Sequence, residues 1–117
     1  MIKHEQIVEM LEEAHVAAHT AAQDYLDKHF DGQDGGACGF AWCNFVQYNG
    51  DTINGRTKVG RALKKAGVTQ NWNRQFHLWN PAQIGCQSLD ALSAGARAAA
   101  KVCEQYGFKM SVSSRLD

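Results

Sequence analysis

A chain of 117 residues suffices for one compact domain and is too short for two ordinary ones. With 44% hydrophobic and 21% charged residues it can bury a core, which excludes a disordered chain. No apolar run is long enough to span a bilayer, and no charged-then-apolar start with a cleavage site is present, so neither a membrane nor a secreted protein is expected. The formal net charge of zero hides an uneven distribution. Residues 1–35 hold eight acids (Glu5, Glu9, Glu12, Glu13, Asp24, Asp27, Asp31, Asp34) against Lys3 and Lys28, a net −6. Residues 52–89 hold no acid against Arg56, Lys58, Arg61, Lys64, Lys65 and Arg74, a net +6.

The first predicted element is a helix from about His4 to His29. Ile7, Leu11, Ala14, Ala18, Ala21 and Tyr25 recur at the spacing of one helical face. Its small side chains allow a neighbour to approach closely. The three glycines of Asp31–Gly36 end it in a loop. Cys38 to Tyr48 follows as the clearest strand, aromatic, uncharged and closed by Asn49-Gly50. Cys38, Phe40, Trp42, Asn44, Val46 and Tyr48 fall on one face, and Gly39, Ala41, Cys43, Phe45 and Gln47 on the other. Both faces are mostly apolar, so both are expected to be covered.

Thr57 is placed to cap a short basic helix, Lys58 to Ala66, which Gly67 stops. Arg74 to Trp79 reads as a second strand closed by Asn80-Pro81. Ser88 caps a third helix that runs to about Tyr106, with Leu92, Ala96, Ala99, Cys103 and Tyr106 as its apolar stripe. Phe108 to Ser113 makes a third strand. The order α-β-α-β-α-β in one domain, 1–117, predicts an α+β two-layer sandwich: a small three-stranded sheet with helices packed on it. The first and third helices are expected to meet through Ala14/Ala18 and Gly95/Ala99. Three strands leave one face and two edges bare, so a two-fold homodimer is expected to cover them.

Cys38, Cys43, Cys86 and Cys103 form no C-x-x-C pair and read as reduced thiols of a cytosolic protein. His15 and His19 stand one turn apart, but the Glu that a zinc-protease motif requires after the first His is Val16. No metal and no cofactor are expected. Cys38 or Cys43 with His77 offers a nucleophile–base pair on paper, against the commoner reading of packed, inert thiols.

The segment Gly55–Ala62 has the glycine spacing of a phosphate-binding P-loop, but Arg61 and Ala62 stand where Lys and Ser/Thr are needed. What survives is a helix start with Arg56, Thr57, Lys58 and Arg61 close by, a candidate anion site. Trp72 and Trp79 nearby suit single strands or nucleotides. Asn44, polar within an apolar strand, must find partners or meet a ligand. The bland reading is a solvated basic face that meets the acidic first helix.

Several stretches resemble a family of small uncharacterised proteins of tailed bacteriophages: Gly39–Trp42, Thr57–Gly67, Leu78–Pro81, Ala94–Ala98 and Ser114–Asp117. The resemblance spans most of the chain after the first helix and carries no catalytic motif. It implies expression in the cytoplasm of a bacterial host. The sequence thus predicts a non-enzymatic binding protein that acts on nucleic acid or an anionic host macromolecule through its basic central segment. The alternative is a pocket that sequesters a small anionic ligand such as a nucleotide, built from the Gly-rich Asp31–Gly39 loop, Asn44, Trp79 and the helix start at Thr57.

Overall fold

Helices form where the apolar residues recur every three to four positions, and strands where they alternate. In a computed structural model that describes residues 2–117, the chain runs α1 (His4–Phe30), β1 (Gly39–Tyr48), β2 (Asp51–Thr52), α2 (Lys58–Lys65), β3 (Thr69–Gln70), β4 (Phe76–Trp79), α3 (Leu89–Gln105) and β5 (Phe108–Leu116). The two predicted caps are made: Thr57 Oγ1 accepts from Gly60 N at 3.1 Å, and Ser88 Oγ from Ala91 N at 3.3 Å.

The class is α+β, but the sheet has five strands rather than three, and the order is α-β-β-α-β-β-α-β. The two extra strands, β2 and β3, are two residues each, too short to show any period in sequence. Asn49 and Gly50, both at positive φ, make the two-residue turn that folds β2 back on β1. Arg74 belongs to a turn, at φ 63°, so β4 begins only at Phe76.

Strand β1 is the axis of the sheet. β5 lies antiparallel along its whole length, from Gly39 opposite Leu116 to Tyr48 opposite Phe108. β4 and β2 share the other edge, at Trp42–Asn44 and Gln47–Tyr48 respectively, and β3 extends the sheet beyond β4. A bulge between Phe45 and Gln47 shifts the register by one residue. Tyr48 therefore moves to the core side, where its ring lies 4.9 Å from that of Phe108, and Gln47 takes the outer position that strict alternation assigns to Tyr48.

The core occupies one face of the sheet. Ala41, Cys43, Phe45, Phe76 and Phe108 are buried there with Leu92, Ala96, Ala99 and Cys103 of α3, Val59 and Leu63 of α2, and Ile7, Met10, Ala14 and Ala18 of α1. α3 lies close against β1 and β5, and α1 against α3. α1 and α3 come close at Gly95, where an added Cβ would stand 2.9 Å from the Ala18 carbonyl oxygen and 2.8 Å from the Ala82 Cβ. The two helices thus meet through the small residues that their sequences set aside for it.

Candidate nucleic-acid interface

The alternation that buries Ala41, Cys43 and Phe45 turns Phe40, Trp42 and Asn44 to the opposite face. Their cross-strand partners share that face: Arg115, Ser113 and Ser111 from β5, and Trp79 and His77 from β4. Gln47, Thr52, Lys109 and Thr69 complete it by the same pairing, and none of these strand residues is acidic. The core and the apolar side chains packed against it include none of Phe40, Trp42 and Trp79.

The rings on this face are ordered among themselves. The Trp79 indole stacks at 5.7 Å from Phe40 and at 5.2 Å from Trp42, with interplanar angles of 28° and 27°. The Arg115 guanidinium lies 5.2 Å from the centre of the Phe40 ring. Arg115, Phe40, Trp79 and Trp42 thereby form one continuous run, and Trp79 remains 45% exposed. Beside it, Asn44 is only 5% exposed and its Nδ2 donates to Ser111 Oγ at 3.1 Å and Ser113 Oγ at 3.3 Å. Its Oδ1 is buried with no partner among the described residues. His77 stands directly opposite Asn44, and partial burial lowers its pKa, which favours the neutral ring.

The predicted site residues fall into two groups. Asn44 and Trp79 lie on the outer sheet face, while Arg56, Thr57, Lys58 and Arg61 cluster around the start of α2. That helix start is self-capped: Asn54 Oδ1 accepts from Arg56 N at 2.8 Å and Thr57 N at 3.2 Å, and Thr57 takes Gly60 N. Lys58 lines an open cleft of about 540 Å³ with Tyr48, Asn49, Asp51, Thr52, Ile53, Thr57 and Val59, so that cleft carries one acid, Asp51. Arg61 is exposed on α2. Arg56 instead joins Lys64 and Arg74 around an open cleft of about 540 Å³, whose remaining lining is Asn54, Gly55 and Gln70.

Phe40, Trp42 and Arg115 escape the sequence-based site. Two apolar faces on β1 suggest two buried faces, so its aromatics read as core. Arg115 lies beyond the predicted end of β5 at Ser113. The usable signal is that the aromatics of Phe40–Trp42 alternate with glycine and alanine, so all the bulk stands on one face.

The remaining candidates are occupied or separated. His15 Nδ1 and His19 Nδ1 each lie 3.0 Å from a backbone carbonyl, of Pro81 and Ala82 respectively, so these rings tie α1 to the segment after β4. No group of three or more His, Cys, Asp or Glu side chains able to hold a metal occurs among the described residues. Cys43 pairs with Leu78 on the core side and His77 faces outward, so the sheet itself separates these two, while Cys38 is exposed and bridges Ser88 ahead of β1. Burial also pushes the Cys43 thiol up to about 12.

No protein-family model, no curated protein and no solved structure matches the chain. Among the described residues, no helix is long and apolar enough to cross a membrane.

Proposed function

We propose that this chain is a non-enzymatic binding protein for single-stranded nucleic acid, with bases stacked on its open sheet face. The observation that carries this reading is the run Arg115–Phe40–Trp79–Trp42 on a face whose strand residues include no acid. Unpaired bases expose π-faces that stack on aromatic rings and on guanidinium planes, whereas a duplex keeps those faces inside. The hydroxyls of Ser111, Ser113 and Thr69 and the charges of Lys109 and Arg115 suit phosphate and sugar at the margins of the rings. The acid-free segment of residues 52–89, with its six cations, adds a long-range attraction for a polyanion. The resemblance to tailed-phage proteins fits a role in the cytoplasm of a bacterial host.

Fluorescence anisotropy of a labelled oligothymidylate tests the reading. The wild-type chain binds it more tightly than a duplex of equal length, and the affinity falls steeply with salt. Trp79→Ala and Phe40→Ala each weaken binding by about 1–3 kcal/mol, roughly 5- to 150-fold, while circular dichroism stays unchanged. Binding that is indifferent to both substitutions contradicts the proposal. So does a dimer, detected by light scattering, that shields Trp79 and excludes the oligonucleotide.

A further inference from the structure

The cleft beside α2 is a second feature, independent of the aromatic face. We infer that it is a site for linked phosphates, the di- or triphosphate moiety of a nucleotide or of a strand end. Its three cations come from three separate segments. Arg56 belongs to the loop before α2, Lys64 to the last turn of α2, and Arg74 to the turn between β3 and β4. No carboxylate lines the cleft to offset them.

The backbone that carries Arg74 is held by local hydrogen bonds. Asn71 Oδ1 accepts from Asn73 N at 2.9 Å and from Gln75 N at 3.0 Å, while Arg74 N donates to the Asn71 carbonyl at 2.8 Å. Gln70 Nε2 donates to the Arg74 carbonyl at 2.8 Å. These bonds fix where the Arg74 side chain leaves the turn. Gly55 leaves the opposite wall open: a Cβ there would lie 3.1 Å from Lys64 Nζ and 3.8 Å from Gln70 Nε2. Two donors thus converge over a position without a side chain. Of the two side-chain acceptors in the lining, Asn54 Oδ1 is engaged by Arg56 N and Thr57 N, and Gln70 is held through its Nε2 on the Arg74 carbonyl.

The chemistry selects the ligand. Guanidinium groups meet phosphate oxygens with paired N–H donors, and an ammonium adds a compact point charge. Three cations around one cleft match a chain of phosphates in charge, more than a single phosphate needs. Trp72, 91% exposed and two residues before Arg74 on the same turn, offers a ring to a base attached to such a chain.

Isothermal titration with inorganic tripolyphosphate tests the cleft, with Trp79→Ala as the background that removes the sheet face. Binding persists in that background, which separates this site from the stacking reading. Lys64→Gln and Arg74→Gln each weaken it at least tenfold. Lys58→Gln and Arg61→Gln, outside the cleft, change it less than twofold. Tighter binding of ATP than of tripolyphosphate supports the site and assigns a free nucleotide. Tighter binding of 5′-triphosphorylated than of 5′-hydroxyl RNA supports it and assigns a strand end. No heat at millimolar tripolyphosphate overturns the inference, and so does equal weakening by Lys58→Gln or Arg61→Gln.

Discussion

Cys43 of β1 and Cys103 of α3 are buried side by side in the core, and burial raises both thiols well above their ordinary value of 9.0. A thiol whose pKa is raised by folding stabilises the fold fully below its unfolded pKa, and that contribution is lost as pH rises toward the folded value. Urea unfolding measured between pH 8 and 10.5 should therefore show stability falling above about pH 9. Cys103→Ala should make that fall shallower. Labelling with iodoacetamide, followed by mass spectrometry, should modify exposed Cys38 first and half-buried Cys86 more slowly. Cys43 and Cys103 should react only after denaturation. Tyr106, whose hydroxyl donates to Glu13 Oε1 at 2.7 Å, joins the end of α3 to the acidic face of α1. At this scale the sequence is most readable where a residue acts on its own backbone, as Thr57 and Ser88 do in capping. It is least readable where partners lie far apart, as Ser111 and Ser113 do from Asn44.

Between elements, α1 meets α3 at close quarters, and Gly95 has no room for a side chain there. Gly95→Ala places a methyl group 2.9 Å from the Ala18 carbonyl, against backbone that cannot swing aside. Overpacking of this kind costs about 1–3 kcal/mol, which lowers the melting temperature by several degrees in a domain of this size. Ala18→Leu should act in the same direction, and differential scanning calorimetry reads both. This contact is legible in sequence because small residues at helical spacing have few other uses. The sheet is less so. β2 and β3 are made by turns rather than by hydrophobic pattern, at Asn49-Gly50 and around Asn71. The bulge that moves Tyr48 inward leaves the composition of β1 unchanged and shows only in the pairing with β5.

At the scale of the whole molecule, the helices cover one face of the sheet and leave the other to its own aromatics. Within the chain, Phe40, Trp42 and Trp79 stack on one another on the face opposite the helices. The sequence reveals that the strand is aromatic, but which rings meet depends on β4 joining β1 at Trp42, a pairing between segments more than thirty residues apart. The basic segment is legible as a charge run, and its division between the helix start and the cleft is not, because Arg74 is brought to Lys64 by the β3–β4 turn. An NMR titration of the labelled protein with oligothymidylate, followed at the three indole N–H resonances, tests whether nucleic acid binds the sheet face. Trp42 and Trp79 should shift together and saturably, with the backbone amides of Phe40 and Arg115 moving alongside them. If those resonances stay in place while the protein binds the oligonucleotide elsewhere, or if nothing moves at all, the open sheet face is not where nucleic acid binds.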